Sequence, residues 1–266
     1  MHAIATPIQP YGNFSPCGLP NETTALEEKE ALENMVTSAV DSAKKSFHLN
    51  ADLAYAAVSV EETGFPELHI AESRMLNNGA SGRKQANWIA GRAAARLALK
   101  KLGLEDSASV LRGDLGEPIW PDGFSGSITH CYPWSIAVAA KSSSQSVAIG
   151  IDLESSHRMR RADPAAIVDL ICREPEREWV QSGGDLAERL TIVFSAKEAL
   201  YKSLYPICKR YIDFTEVELA WRQYESCFRA EFLTALENNL SFAREYQISC
   251  QQYKHLFFAS SIYRTA

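Results

Sequence analysis

The chain has 266 residues, 46% of them hydrophobic and 23% charged, ordinary values for a soluble fold with a substantial core. Its net charge of −6 argues against wholesale nucleic-acid binding, which needs a basic surplus. No apolar run approaches the ~18 residues that cross a bilayer, and the first twenty residues lack the basic start and apolar core of a signal peptide.

In chain order, residues 1–22 are rich in Pro, Gly and Asn and read as an extended segment. Residues 23–47 predict a helix with a Thr-led start and acidic first turns, and "LAYAAVSV" (53–60) predicts a strand. "RKQANWIAGRAAARLALKKLG" (83–103) is the clearest helix, Ala-rich and stopped at Gly103. A turn-dense loop, "GDLGEPIWPDGFSG", leads into "SITH" and a strand at 135–140. Residues 141–146, "KSSSQS", are the expected linker between two halves. "VAIGIDLE" is the next strand, helix is expected within 163–180, and "ERLTIVFSAKEALYKSLYP" predicts a second long helix ended by Pro206. The remainder reads as a strand meander. The expected fold is mixed α+β: an N-terminal subdomain over 23–140, the linker, and a similar C-terminal subdomain over 147–266.

Six scattered cysteines without a C-x-x-C pair fit reduced, buried thiols in a cytoplasmic protein rather than a zinc site. Asp152 and Glu154 project from one face of their strand, at the end of an apolar run. Two anions so close repel unless a cation lies between them, and an all-oxygen set suits a hard ion such as Mg2+. A strand end emerging into solvent is the alternative. Glu198 and Lys202 share a helix face; read alone, Ser195-x-x-Glu198 is a capping box and Glu198–Lys202 an ordinary surface pair. Arg83, Lys84, Arg92 and Arg96 line the first strong helix, where arginines at helical spacing can fork around phosphate oxygens. Gly91, mid-helix, implies close approach of backbone or ligand. His130 and Cys131 point to opposite faces of a strand, which excludes a Cys–His hydrolase pair, and "GFSGS" lacks the spacing of a nucleophile elbow.

Taken together, "GRKQANWIAGRAAARLAL", "GEPIWPDGFSGSITHC", "AIGIDLE" and "FSAKEALYKSLYP" resemble the 4′-phosphopantetheinyl transferases, in particular the enterobactin-synthase-component-D branch of the Sfp-like superfamily. The resemblance covers roughly residues 80–220. It implies two subdomains related by a pseudo-twofold axis, with the active site in the cleft between them. It implies transfer of the phosphopantetheine arm from coenzyme A to a serine of an apo acyl, peptidyl or aryl carrier protein, releasing adenosine 3′,5′-bisphosphate, with Mg2+ as cofactor. By position, Asp152, Glu154 and Glu198 would be metal ligands, and Glu198, Lys202 and His130 the catalytic groups. Thr129, His130 and Lys202 would lie along the coenzyme's phosphates, Arg83, Lys84 and Arg92 would receive its 3′-phosphate, and Gly116, Glu117 and Pro118 would line the adenine. Glu117 stands where the family usually has a basic residue, so no charge contact is expected there. The resemblance also implies a monomer and leans towards siderophore or other nonribosomal-peptide or polyketide synthesis. "HRMRR" (157–161) is the candidate docking patch for an acidic carrier. Two other readings share these residues: a Mg-dependent phosphohydrolase of coenzyme A or nucleotides, and a non-catalytic binding module.

Overall fold

The computed structural model describes residues 22–49, 51–61, 67–76, 81–104, 108–141, 147–233 and 246–265. Both Cys17 and the extended segment expected before Glu22 therefore lie outside the described residues, as does all of the expected linker except Lys141, which closes a strand.

The N-terminal half carries a three-stranded antiparallel sheet in the order β1-β5-β4, formed by Asp52–Ser59 (β1), Phe124–Cys131 (β4) and Trp134–Lys141 (β5). A short ladder of Leu111–Arg112 (β2) with Pro118–Ile119 (β3) stands beside it. The C-terminal half carries five antiparallel strands in the order β6-β10-β9-β8-β7: Val147–Ser155 (β6), Val217–Arg222 (β7), Cys227–Phe232 (β8), Tyr246–Tyr253 (β9) and Leu256–Arg264 (β10).

Each sheet supports one long helix. Alternation along the strands decides what lies on each face. In β5, Ala137 and Ala139 pack under the helix Gly82–Lys101 (α3), whose Ala90, Ala93, Ala94 and Ala98 permit close approach. In β6, Ala148 packs under the helix Leu186–Cys208 (α7). The opposite faces meet a shared partner. Leu32, Met35, Val36, Ala39, Val40 and Ala43 recur at helical spacing on Glu22–Ser46 (α1) and form one core with Ile136 and Val138 of β5, Ile149, Ile151 and Leu153 of β6, and Phe258 and Ile262 of β10. Helix α1 thus packs on strands of both halves, which gives the N-terminal region a role its sequence did not announce. Ile70–Ser73 (α2), Ser156–Arg161 (α4), Pro164–Ile171 (α5) and Glu174–Gln181 (α6) complete the helices.

Two expectations need correcting. Pro206 lies inside α7, which runs on to Cys208 and ends with Lys209 in the left-handed region at φ 50°. Helix α7 also begins well before Ser195, at an Asp185 cap whose carboxylate accepts from the Glu188 backbone N–H at 2.9 Å. Ser195 therefore caps nothing.

Candidate active site

Gly150 sets the site. A Cβ there would overlap the carbonyl oxygen of Ala199 and the backbone nitrogen of Ser203, so β6 and α7 touch main chain to main chain. This contact brings Ser195, Glu198 and Lys202, which share one helix face, against Asp152. Asp152 is 4% exposed and is held from two directions. Ser195 Oγ donates to its Oδ2 at 2.9 Å, Lys202 Nζ lies 2.6 Å from its Oδ1, and Thr129 Oγ1 from the other half donates to Oδ1 at 3.3 Å. Lys202 also donates to the Ile151 carbonyl at 3.2 Å. The surface-pair reading of Glu198–Lys202 fails, because the lysine turns inward to the strand.

Glu154 shares the Asp152 face and bonds Arg158 Nη1 at 3.2 Å. Burial, then repulsion from Asp152, pushes the Glu154 carboxyl up to about 8, against the pull of Arg158 and Lys202. Burial raises Glu198 to about 7, with Lys202 opposing and Asp152 adding. Burial would lower Lys202, but Asp152, Glu198 and Glu154 together raise it. Three carboxyl groups thus share two cations, and burial holds Glu154 and Glu198 towards their neutral forms for want of a further positive charge. Glu198 further borders a shallow cleft lined by Tyr201, Tyr211, Phe214 and Phe232.

The fit of these acids to a metal ion is one of chemistry more than of arrangement. Clustered carboxyl oxygens that burial holds towards neutrality suit a hard divalent cation, which would stabilise their ionised forms. Among the described residues, however, no three His, Cys, Asp or Glu side chains converge tightly enough to hold an ion as they stand. Lys202 and Arg158 take up Asp152 and Glu154 instead.

The candidate coenzyme residues divide. The His130 imidazole seats directly on Gly91, where a Cβ would overlap it, so the close approach implied by that glycine comes from His130. Its Nδ1 lies 3.0 Å from Ser135 Oγ. Burial, with Lys202 and Arg92 nearby, lowers it to about 3 and keeps the ring neutral. Arg92 is 4% exposed, stacks 3.9 Å from the Trp88 ring centroid, and donates from Nη2 to the Leu111 carbonyl at 3.1 Å. Its buried Nε has no hydrogen-bond partner among the described residues, and burial lowers the guanidinium to about 10. Arg96 does not join Arg92 in a fork: its guanidinium is bound to buried Glu72 and to the Glu67 carbonyl. Arg83 is exposed and stacks 4.6 Å from the Tyr132 ring centroid, and Lys84 is exposed beside it on α3.

Gly116 takes φ +97°, a value that favours glycine, and closes the turn before Pro118. Glu117 folds into its own loop, accepting from the Leu115 N–H at 3.1 Å. The 157–161 patch is less positive than its sequence suggests: Arg158 serves Glu154, and Arg160 lies 3.0 Å from Asp185 and 3.1 Å from Glu188.

Sequence reasoning missed Ser195 and Lys197. Spacing along the predicted helix from Glu188 already puts Ser195 on the Glu198–Lys202 face, at i, i+3 and i+7. Lys197 is a wholly buried lysine bound to Glu176 Oε2 at 2.7 Å and to the carbonyls of Ile171, Phe214 and Val217 at 2.7–3.0 Å.

Comparison with known proteins identifies the family. A family model described as the 4′-phosphopantetheinyl transferase N-terminal domain matches residues 71–140, and one described as the 4′-phosphopantetheinyl transferase superfamily matches residues 148–255. The 4′-phosphopantetheinyl transferase of Nocardia iowensis is 35% identical over 167 residues, 61% of this chain and 72% of its own. That of Mycobacterium tuberculosis is 31% identical over 186 residues, 70% and 78%. The enterobactin synthase component D of Salmonella typhi is 36% identical over 129 residues, 47% and 50%. No described helix is long and apolar enough to cross a membrane. The chain belongs to the 4′-phosphopantetheinyl transferases, enzymes that move the phosphopantetheine arm of coenzyme A onto carrier proteins.

Proposed function

We propose that this enzyme works at the seam between its two halves, with Asp152, Glu154 and Glu198 holding Mg2+ and with Thr129, His130 and Lys202 beside them. The observation that carries the reading is the meeting of three carboxyl groups at α7, β6 and β4, two of them held towards neutrality because too few cations face them. Mg2+ would neutralise charge across the coenzyme's diphosphate. Residues 23–140 bind the nucleotide end, with Arg83, Lys84 and Arg92 at the 3′-phosphate and the Gly116–Pro118 turn at the adenine. The orphaned Arg92 Nε supports an anion there. Residues 147–266 supply the acids and receive the carrier. The carrier serine oxygen bonds to the phosphorus of the pantetheine phosphate, the bond to adenosine 3′,5′-bisphosphate breaks, and Lys202 steadies the departing charge. Glu198, on the α7 face that meets Asp152, accepts the serine proton. The carriers are those of siderophore or other nonribosomal-peptide or polyketide synthesis, and the enzyme acts as a cytoplasmic monomer.

Incubation with coenzyme A, Mg2+ and a panel of apo-carriers, followed by intact mass, tests this. The expected result is one phosphopantetheine added to a carrier serine, abolished by EDTA. Coenzyme A cleavage with no gain in carrier mass would establish a phosphohydrolase instead.

A further inference from the structure

Ser125, Ser127 and Thr129 occupy alternate positions of β4, and all three hydroxyls engage the main chain of β6. Ser125 Oγ donates to the Val147 carbonyl at 2.9 Å, Ser127 Oγ accepts from the Ile151 N–H at 3.1 Å, and Thr129 Oγ1 accepts from the Leu153 N–H at 2.9 Å. Strands β4 and β6 belong to different sheets, so no backbone ladder joins them. The hydroxyls stand in for one, and they fix the register of the acid-bearing strand against the half that carries His130.

The last hydroxyl does more. A threonine hydroxyl has one proton and two lone pairs. At Thr129 the Leu153 N–H takes a lone pair and the proton points to Asp152 Oδ1 at 3.3 Å. Thr129 is buried, and its one proton is committed to the carboxylate, which leaves it none to donate to a phosphate.

We propose that Thr129 is a positioning residue for Asp152, carrying the geometry of the N-terminal half into the acid cluster, and that it is not a contact of the coenzyme's phosphates. The proposal rests on the reading of Asp152 as part of the catalytic acids. With Ser195 and Lys202, Thr129 surrounds that carboxylate by donors from both halves, leaving it little freedom to rotate.

The test is Thr129→Val, which keeps the shape and removes the hydroxyl, beside Thr129→Ser, which keeps the hydroxyl. Three quantities are measured: kcat, KM for coenzyme A, and the Kd of coenzyme A by calorimetry in EDTA. The valine variant is expected to lose kcat by about tenfold or more, the range for loss of a partner that orients a ligand. Its coenzyme Kd and KM should stay within about twofold of wild type, and the serine variant should recover kcat. A weakened coenzyme Kd with kcat preserved would make Thr129 a phosphate contact and overturn the proposal, as would a valine variant unchanged in all three. If the valine variant does not fold, Thr129→Ala, which adds no bulk, is judged by the same criteria. Asp152→Asn run alongside separates the two levels. An active Asp152→Asn sinks the acid-cluster reading and this proposal with it; an inactive one beside a normal Thr129→Val sinks the proposal alone.

Discussion

Helix α7 carries two inward-turned lysines, five residues apart, and their surroundings differ in one respect. Lys197 and Glu176 form a closed pair. The ammonium meets four oxygens, and Glu176 also accepts from the backbone N–H groups of Arg173 and Leu219 at 2.7 Å each. Burial pushes Lys197 down and Glu176 up, each offset in part by its partner, and no charge is left over. Lys202 meets Asp152 in an open cluster, where Glu154 and Glu198 lie too deep for Lys202 and Arg158 to keep both ionised, and their carboxyls are raised. The difference teaches how to tell structure from chemistry in a buried ionic group. The saturated pair ties α7 to α6 and β7, whereas the unsaturated one fits the ligand site proposed above.

The largest expected effect breaks the closed pair. Lys197→Met leaves Glu176 buried and unpaired and should cost about 3–5 kcal/mol in urea unfolding. Lys202→Met should cost only about 1 kcal/mol, because Asp152 keeps Ser195 and Thr129 and the lysine is 28% exposed. Its transfer rate should fall by about 100-fold, the scale for losing a group that stabilises transition-state charge. Equal stability losses for the two would erase the distinction. Next, Gly150→Ala should destabilise by about 1–3 kcal/mol, the usual range for overpacking. Because the obstructing atoms are Ala199 and Ser203 main chain, α7 must shift from β6 and activity should fall further than stability predicts. A normal kcat in a folded Gly150→Ala protein would contradict that.

A further effect, seen only in acid, concerns His130, a buried group held neutral by its surroundings. Its folded value of about 3 lies below its unfolded value of about 6.5. Between those limits the unfolded chain binds more protons, so stability falls as pH drops below about 6.5. His130→Gln should flatten the fall of melting temperature between pH 6.5 and 4.5; an unchanged slope would show that other groups dominate.

Much of the fold was legible because its signals are local or periodic. The Ala-rich α3, the apolar run of β6 and the alternation placing Asp152 and Glu154 on one face all follow from spacing. The errors arose where a distant partner decides. Ser195-x-x-Glu198 carries a capping pattern, yet the genuine cap lies at Asp185, and only the facing β6 shows what Ser195 bonds. Pro206 reads as a stop, but near a helix end few backbone bonds remain to be broken. Lys197 carries no local signal of burial, since its partner Glu176 lies 21 residues away in sequence. The Arg92–Arg96 fork was lost to Glu72, which no helical spacing predicts.

We propose that the acids around Asp152 form an incomplete ionic site finished by a divalent cation. Melting metal-free enzyme against increasing Mg2+, with the Asp152→Asn/Glu198→Gln double variant as reference, addresses it directly. Binding to the native state alone predicts a saturable gain for wild type, about 2.7 kcal/mol at a hundred times Kd, and none for the variant. The same gain in both proteins would contradict the account.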